Sequence, residues 1–331
     1  MLIFLNKYKK ILITLLFPYV YILLLLVAPT HMQVVAPGGL TPLKEGIVIE
    51  NIEMSKAFHT IYVYNYYPMT PFMVMITQNN DTMSVYEMSY RQKDTSWRDE
   101  YLSGQVSKKS SLHTSLIQAY TLASEIDPSI EIVSHFEGLL LSYRPSRLKD
   151  LAIGDQIIAI NGERYDEHSE DSFLALSRSR EAQLEVKRLI KGEYVIFNLS
   201  YTLADDESIL LYYPYYHIES ATPSFSLPLL EDVVGGPSGG MLQTLSIYVS
   251  LLKLNTQNLK IAGTGTIESD GKIGRIGGLR QKIYTAIDQK VDVFFMPFSQ
   301  QQEVNNIQFS MLVYAVKDIR EAVEKLYEVL D

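Results

Sequence analysis

The chain has 331 residues, of which 47% are hydrophobic, with a formal charge of −9 and no cysteine. That length leaves room for two or three domains. The acidic balance argues against nucleic acid, which needs a basic face. The missing cysteines remove thiol catalysis, disulfides and cysteine-based metal sites.

Lys7, Lys9 and Lys10 precede an uncharged run from Ile11 to Ala28. As a helix this run rises about 27 Å, close to the roughly 30 Å of a bilayer core. Pro29 follows directly and no small-x-small cleavage site is evident, so the run reads as an uncleaved anchor rather than a signal peptide. The lysines would keep the N-terminus cytoplasmic and place the remainder outside the cytoplasm, as a single-pass protein.

VVAPGGLTPL, around Pro37, Gly38, Gly39 and Pro42, reads as a linker. Residues 47–90 carry β-rich runs, IVIENI, HTIYVYNYY, FMVMIT and MSVYEMSY, with a turn at Asn79–Asp81. A polar stretch, Arg91 to Ser111, precedes an expected helix with Leu112, Leu116, Ala119, Tyr120 and Ala123 on one face, ended by Asp127 and Pro128. Residues 130–203 read as strand, loop, strand, Asn161-Gly162 turn, helix and hairpin. From about Leu210, glycine-punctuated strands and helices follow. GGPSGG (Gly235 to Gly240) opens a helix, IAGTGTI is a strand, and RQKIYTAIDQK is a helix. VDVFFMPF is a buried strand, and DIREAVEKLYEVL is an amphipathic helix.

Ser238 sits in a Gly-Pro turn at a helix start, where backbone N–H groups and partial positive charge could hold an oxyanion. Helix capping is the commoner task of such a serine. A nucleophile also needs a base. None of the six histidines follows the serine, and His217, 21 residues before it, has no supporting pattern. Lysine is the other solution, and Lys282 stands after IGGL with apolar residues behind it. As a base it would have to fall from about 10.4 to near 7–8, which desolvation can achieve. Read alone, it is more simply a solvated lysine.

GGPSGG followed by TGTIESDGKIGRIGGLRQK resembles the proteolytic domain of the Lon proteases. The resemblance implies that Ser238 is the nucleophile, Lys282 its base and Thr264 a partner of the lysine amine. Gly235, Gly236 and Pro237 would then form the turn and oxyanion region. Gly239 departs from the family's usual alanine, which would loosen the turn. LKDLAIGDQIIAINGERY resembles PDZ domains, implying that Gly138, Leu139, Leu140 and Leu141 form a peptide-binding loop and strand by strand addition. The order of parts is similar to the PDZ-containing, ATP-independent Lon-like proteases of Gram-positive bacteria. GxxxxGK[ST] does not occur in the sequence, HExxH is missing and the histidines are scattered.

The expectation is an α+β multidomain protein. It comprises a cytoplasmic tip and anchor (1–30), a β-rich segment (31–125), a PDZ domain (126–205) and a Lon-like proteolytic domain (206–331). It would cleave unfolded peptides or flexible segments outside the membrane without cofactor, metal or ATP, and its own linker is one candidate substrate. The alternative is a membrane-tethered peptide-binding adaptor with an inactive protease-like domain.

Overall fold

The computed structural model describes residues 2–227 and 235–330. Helix α1 spans Leu2–Val27. Its portion Tyr8–Val27 is, among the described residues, the one helix long and apolar enough to cross a membrane, by a measure of length and composition that a signal sequence also meets.

Two sheets follow. β1 (Met32–Pro42) pairs antiparallel with β2 (Phe58–Tyr66), α2 (Pro71–Thr77) comes next, and β3 (Ser84–Glu87) pairs with the first residues of β1. After α3 (Tyr90–Asp94) and the long α4 (Trp97–Ser124) comes an antiparallel unit. It contains β4 (Glu131–Tyr143), β5 (Gln156–Ile160), α5 (Glu170–Leu176), β6 (Glu181–Ile190), β7 (Glu193–Thr202) and β8 (Leu211–Thr222), in the spatial order β8-β4-β5-β6-β7. The chain then forms α6 (Gly240–Leu251), β9 (Ile261–Gly263), α7 (Leu279–Asp288), β10 (Val293–Pro297), β11 (Leu312–Val316) and α8 (Ile319–Leu330).

These last strands return to the first sheet, whose order is β11-β10-β9-β2-β1-β3, with β9 parallel to both β2 and β10. Residues near the N-terminus and the C-terminus therefore share one sheet, and the antiparallel unit is inserted between them. Alternation along the strands divides the core in two. Phe58, Ile261, Val293 and Phe295 face one way and pack with Leu116 of α4, Leu245 of α6 and Leu326 of α8. Ile61, Ala262, Phe294 and Met296 face the other way, onto Leu279 and Ile283 of α7. Helices on both faces explain why VFFMP is buried at every position.

Three sequence expectations change. The expected linker is strand β1: its prolines and glycines are tolerated because the register shifts between Pro37 and Gly39, and because β3 pairs only with Met32–Val35. A Cβ on Gly38 would stand 2.2 Å from the Tyr62 carbonyl oxygen, so glycine is required there. FMVMIT is the helix α2, not a strand, because Thr70 caps it by accepting from the Met73 N–H and Pro71 occupies its first turn. The helix expected from Leu112 begins at Trp97, capped by Ser96. Its added N-terminal half buries Ser107, Ser110, Ser111, Thr114 and Ser115, which show no apolar period, whereas the expected half buries Leu116, Ala119, Tyr120 and Ala123.

The inserted unit has its own core around Leu139, Leu141, Ile157, Phe173 and Leu184. Gly138–Leu141, expected to accept a peptide strand, lie inside it. Leu139 and Leu140 pair with Ile157 and Gln156 on β5, and Leu139, Leu140 and Leu141 pair with Pro214, Tyr213 and Tyr212 on β8. At Leu139–Leu141 both edges of β4 are taken, so strand addition has no place there.

Because half of the first sheet comes from residues 32–87, residues 206–331 expressed alone should give no cooperative thermal transition by circular dichroism, whereas the full chain should. A sharp transition in the fragment would show that the C-terminal strands suffice.

Candidate active site

Ser238 ends the turn that leads into α6, with Gly239 as the N-cap. Its carbonyl accepts from the Gly265 N–H (2.8 Å) and from the Thr264 hydroxyl (3.1 Å), which pins the turn to the segment leaving β9. Thr264 is fully buried, and its own N–H donates to the Phe295 carbonyl of β10. Lys282 lies in the first turn of α7, after Gly278, which caps the helix at φ 69°. Only glycine adopts that left-handed geometry without cost. The lysine Nζ stands 2.8 Å from Ser238 Oγ and 2.8 Å from Thr264 Oγ1. The three residues singled out by motif are thus brought into one contact.

Lys282 is only 3% exposed. Burial pushes its amine down to about 7, since a low-dielectric site disfavours the charged form. The positive end of the α7 dipole acts in the same direction. Hydrogen-bond bookkeeping then orders the triad. The Thr264 hydroxyl spends its hydrogen on the Ser238 carbonyl, so towards the lysine it can only accept. A neutral amine has two hydrogens and one lone pair. With one hydrogen directed to Thr264, the lone pair can face Ser238 Oγ.

The glycine turn behaves differently from expectation. Gly236 has φ 102°, and its N–H donates to the Gly104 carbonyl of α4 at 2.9 Å, so it does not face an oxyanion. The Ser238 and Gly239 amides have no hydrogen-bond partner among the described residues. Gly235 lies so close to α4 that an added Cβ would come 2.8 Å from Gly104 Cα. Further along α4, Ser111 Oγ donates to the Pro237 carbonyl (3.1 Å) and Ser115 Oγ to the Gly240 carbonyl (3.0 Å). Gly104, Ser111 and Ser115 therefore hold the turn from behind. Sequence reasoning missed them; small residues at helical spacing in GQVSKKSSLHTS were the available signal.

Gly239 also has a local cause. A Cβ there would meet the Thr60 methyl of β2 at 2.8 Å, so the space an alanine would fill is taken. Beside Ser238 opens a cleft of about 390 Å³, lined by apolar Leu43, Ile47 and Leu112 and by polar Lys109 and His113. Burial lowers the affinity of both Lys109 and His113 for protons. Lys109 lies 4.9 Å from the centre of the Tyr215 ring. His217, the other base weighed from sequence, sits on β8 with its ring 5.4 Å from that of His135. Among the described residues, the one group whose side chains could jointly hold a metal is Glu163, Glu167 and His168 on the inserted unit.

Residues 230–330 match the Lon protease (S16) C-terminal proteolytic domain. A Lon protease of Buchnera aphidicola subsp. Schizaphis graminum is 32% identical over 93 residues, which is 27% of this chain and 12% of that relative. The chain thus aligns with only a small part of the curated relative. The Lon-type match supports a peptidase, and a serine peptidase is consistent with that family. Thr60, Gly104, Ser111 and Ser115 all lie outside the matched Lon-type region, on elements that complete its sheet and support the Ser238 turn.

Two predictions follow from this geometry. Gly239→Ala should lower turnover at least tenfold by crowding Thr60, and Thr60→Ser, which removes the clashing methyl, should restore most of it; a double-mutant cycle on kcat with no coupling would refute the contact. Lys282→Met should raise the melting temperature at pH 7. The unfolded lysine holds its proton up to about 10.5 and the folded one only up to about 7, so between those values unfolding binds a proton and stability rises with pH. At about 1.36 kcal/mol per unit the gain is bounded by roughly 4–5 kcal/mol near neutrality, less the lost hydrogen bonds. It should shrink towards pH 10; an equal gain at both pH values would show that the amine is not held neutral.

Proposed function

We propose that this chain is a membrane-anchored serine endopeptidase working by a Ser238–Lys282 dyad without ATP. The observation that carries the reading is the buried Lys282 amine, 2.8 Å from the serine oxygen and poised near neutrality by burial. Neutral Lys282 takes the Ser238 proton as the oxygen attacks the scissile carbonyl. The Ser238 and Gly239 amides, at the N-terminus of α6, receive the developing oxyanion. Protonated Lys282 then gives its proton to the leaving amine, and the neutral lysine later activates the water that releases the acyl group. Thr264 positions the amine throughout.

Several features support the wider reading. The part of α1 from Ile11 onward is uncharged and has lysines on its N-terminal side, which suits a single-pass anchor that leaves the catalytic unit outside the cytoplasm. The sequence has no GxxxxGK[ST] to drive unfolding, so the substrates are peptides and segments that are already unfolded. The apolar part of the cleft, Leu43, Ile47 and Leu112, suits an apolar substrate side chain next to the scissile bond. The PDZ-like stretch at residues 148–165 supports peptide capture by the inserted unit. With β4 paired on both sides at Leu139–Leu141, an added strand would join at outer strands β7 or β8.

The test is turnover of a denatured, fluorophore-labelled protein by the full chain in detergent, without ATP. Peptide release is expected, with an ascending pH limb near 7, because only the neutral lysine is a base. Ser238→Ala and Lys282→Met should each reduce it by about a thousandfold or more. Undiminished cleavage by Ser238→Ala would end the proposal.

A further inference from the structure

Helix α2 breaks the usual rule for a short surface helix. Its sequence, PFMVMIT, is apolar except for the threonine, and none of its residues is buried. Met73, Met75 and Ile76 are 46%, 53% and 58% exposed, and Phe72 is 39% exposed. An amphipathic helix hides its apolar side against the core. This one has apolar side chains all round and leaves most of them exposed. From Ile61 to Asn80 the sequence contains no charged residue.

The position of α2 relative to α1 is set by hydrogen bonds. Both the N–H and the hydroxyl of Thr30 donate to the Met69 carbonyl, at 2.8 and 2.7 Å, and the Met69 N–H donates to the Met32 carbonyl at 3.0 Å. Thr30 is three residues beyond Val27, the last residue of α1, a reach of about 10 Å. α2 also packs directly against α1. If Tyr8–Val27 fills a bilayer core of about 30 Å, Val27 lies at its edge. The start of α2 is then held at the headgroup level and has no freedom to leave it.

The surroundings carry the side chains that favour this level. Tyr64 and Tyr66 at the end of β2 and Tyr86 on β3 are about half exposed. Trp97, the single tryptophan, is 78% exposed and stacks on Tyr101 in the first turns of α4. That end of α4 is tied to the approach to α2 by the hydrogen bond from the Tyr67 hydroxyl to Glu100. Tryptophan and tyrosine are enriched where a membrane meets water.

We propose that α2, with Tyr66, Tyr86 and Trp97 around it, is a membrane-contact surface. It lies in the interface beside the end of α1 and gives the catalytic unit a second hold on the lipid. The proposal rests on the anchoring reading above. A single spanning helix leaves the domain free to swivel; a second contact fixes which side of it faces the bilayer. Lipid is the occupant that the continuity with α1 and the absence of charge select.

The chain lacks cysteine, so single nitroxide labels can be placed at Met75→Cys and Ile76→Cys in the full chain. Ile22→Cys in α1 and Asn258→Cys, exposed at the far end of the first sheet, serve as references. Each labelled chain is checked for retained turnover, reconstituted into phosphatidylcholine–phosphatidylglycerol vesicles, and read by its accessibility to oxygen and to a water-soluble nickel chelate. Labels at 75 and 76 are expected to match the label at 22, with oxygen accessibility high and nickel accessibility several-fold below that at 258. Nickel accessibility at 75 and 76 equal to that at 258, with the label at 22 in lipid, overturns the proposal and leaves the anchor standing. Aqueous behaviour at 22 as well overturns the anchoring reading and this proposal with it. Shielding of 75 and 76 from both reagents would mean a protein cover, a second copy or another partner, and also overturns it.

Discussion

An amine that is almost wholly removed from water, with no carboxylate bonded to it among the described residues, is biased towards the neutral form. Lys282 is in that position, and much of the surrounding structure follows from it. α7 carries the lysine over one face of the first sheet, where Leu279, Ile283 and Phe294 exclude solvent. α6 brings Ser238 to it, and Thr264 joins the two by bonding to both. Thr264 also takes up the donor capacity that would otherwise compete for the serine. A hydroxyl that both accepts and donates is needed for that arrangement. A residue such as valine would fill the same space and leave the amine and the Ser238 carbonyl each short of a partner.

The second requirement is a rigid turn. Its glycines permit the close approach of α4, yet they also make the loop entropically expensive to hold. The chain solves this from outside the turn. Gly104, Ser111 and Ser115 of α4 bond to it at three successive points, and Thr60 of β2 takes the volume that a larger residue at 239 would need. The region that resembles Lon protease therefore supplies Ser238, Thr264 and Lys282, while residues 32–124 complete the sheet and back the Ser238 turn.

How much of this was legible in the sequence depends on the range of the interaction. Ser238, Thr264 and Lys282 were legible because each sits in a short stretch whose glycines and spacing are themselves the signal. The buried strand VFFMP and the amphipathic α8 were legible from period. α4 was only half legible, because its N-terminal half buries serine and threonine and touches the turn through Gly104, whereas its C-terminal half buries Leu116, Ala119, Tyr120 and Ala123. Hydrophobic periodicity cannot register a seam that packs by close backbone approach and hydroxyl bonds. β1 was read as a linker because its prolines and glycines are turn residues in every context except a bulged, half-paired strand. The PDZ-like stretch was recognisable, but the pairing of β8 along β4, which closes the edge expected to bind peptide, comes from residues some seventy positions away. Pairings at such separation leave no local trace.

The order of strands in the first sheet also has a consequence for synthesis. β2 lies at its centre, yet its neighbour β9 comes about two hundred residues later in the chain. At ribosomal speeds of roughly 5–20 residues per second, β2 waits on the order of 10–40 s with one edge unpaired. The pocket that strips water from Lys282 cannot close before β9 and β10 are in place, and Lys282 itself precedes β10. The serine and the lysine therefore meet only when the chain is nearly finished and has doubled back on its first strands. A nascent chain therefore carries the separate parts of the site well before it carries the assembled site.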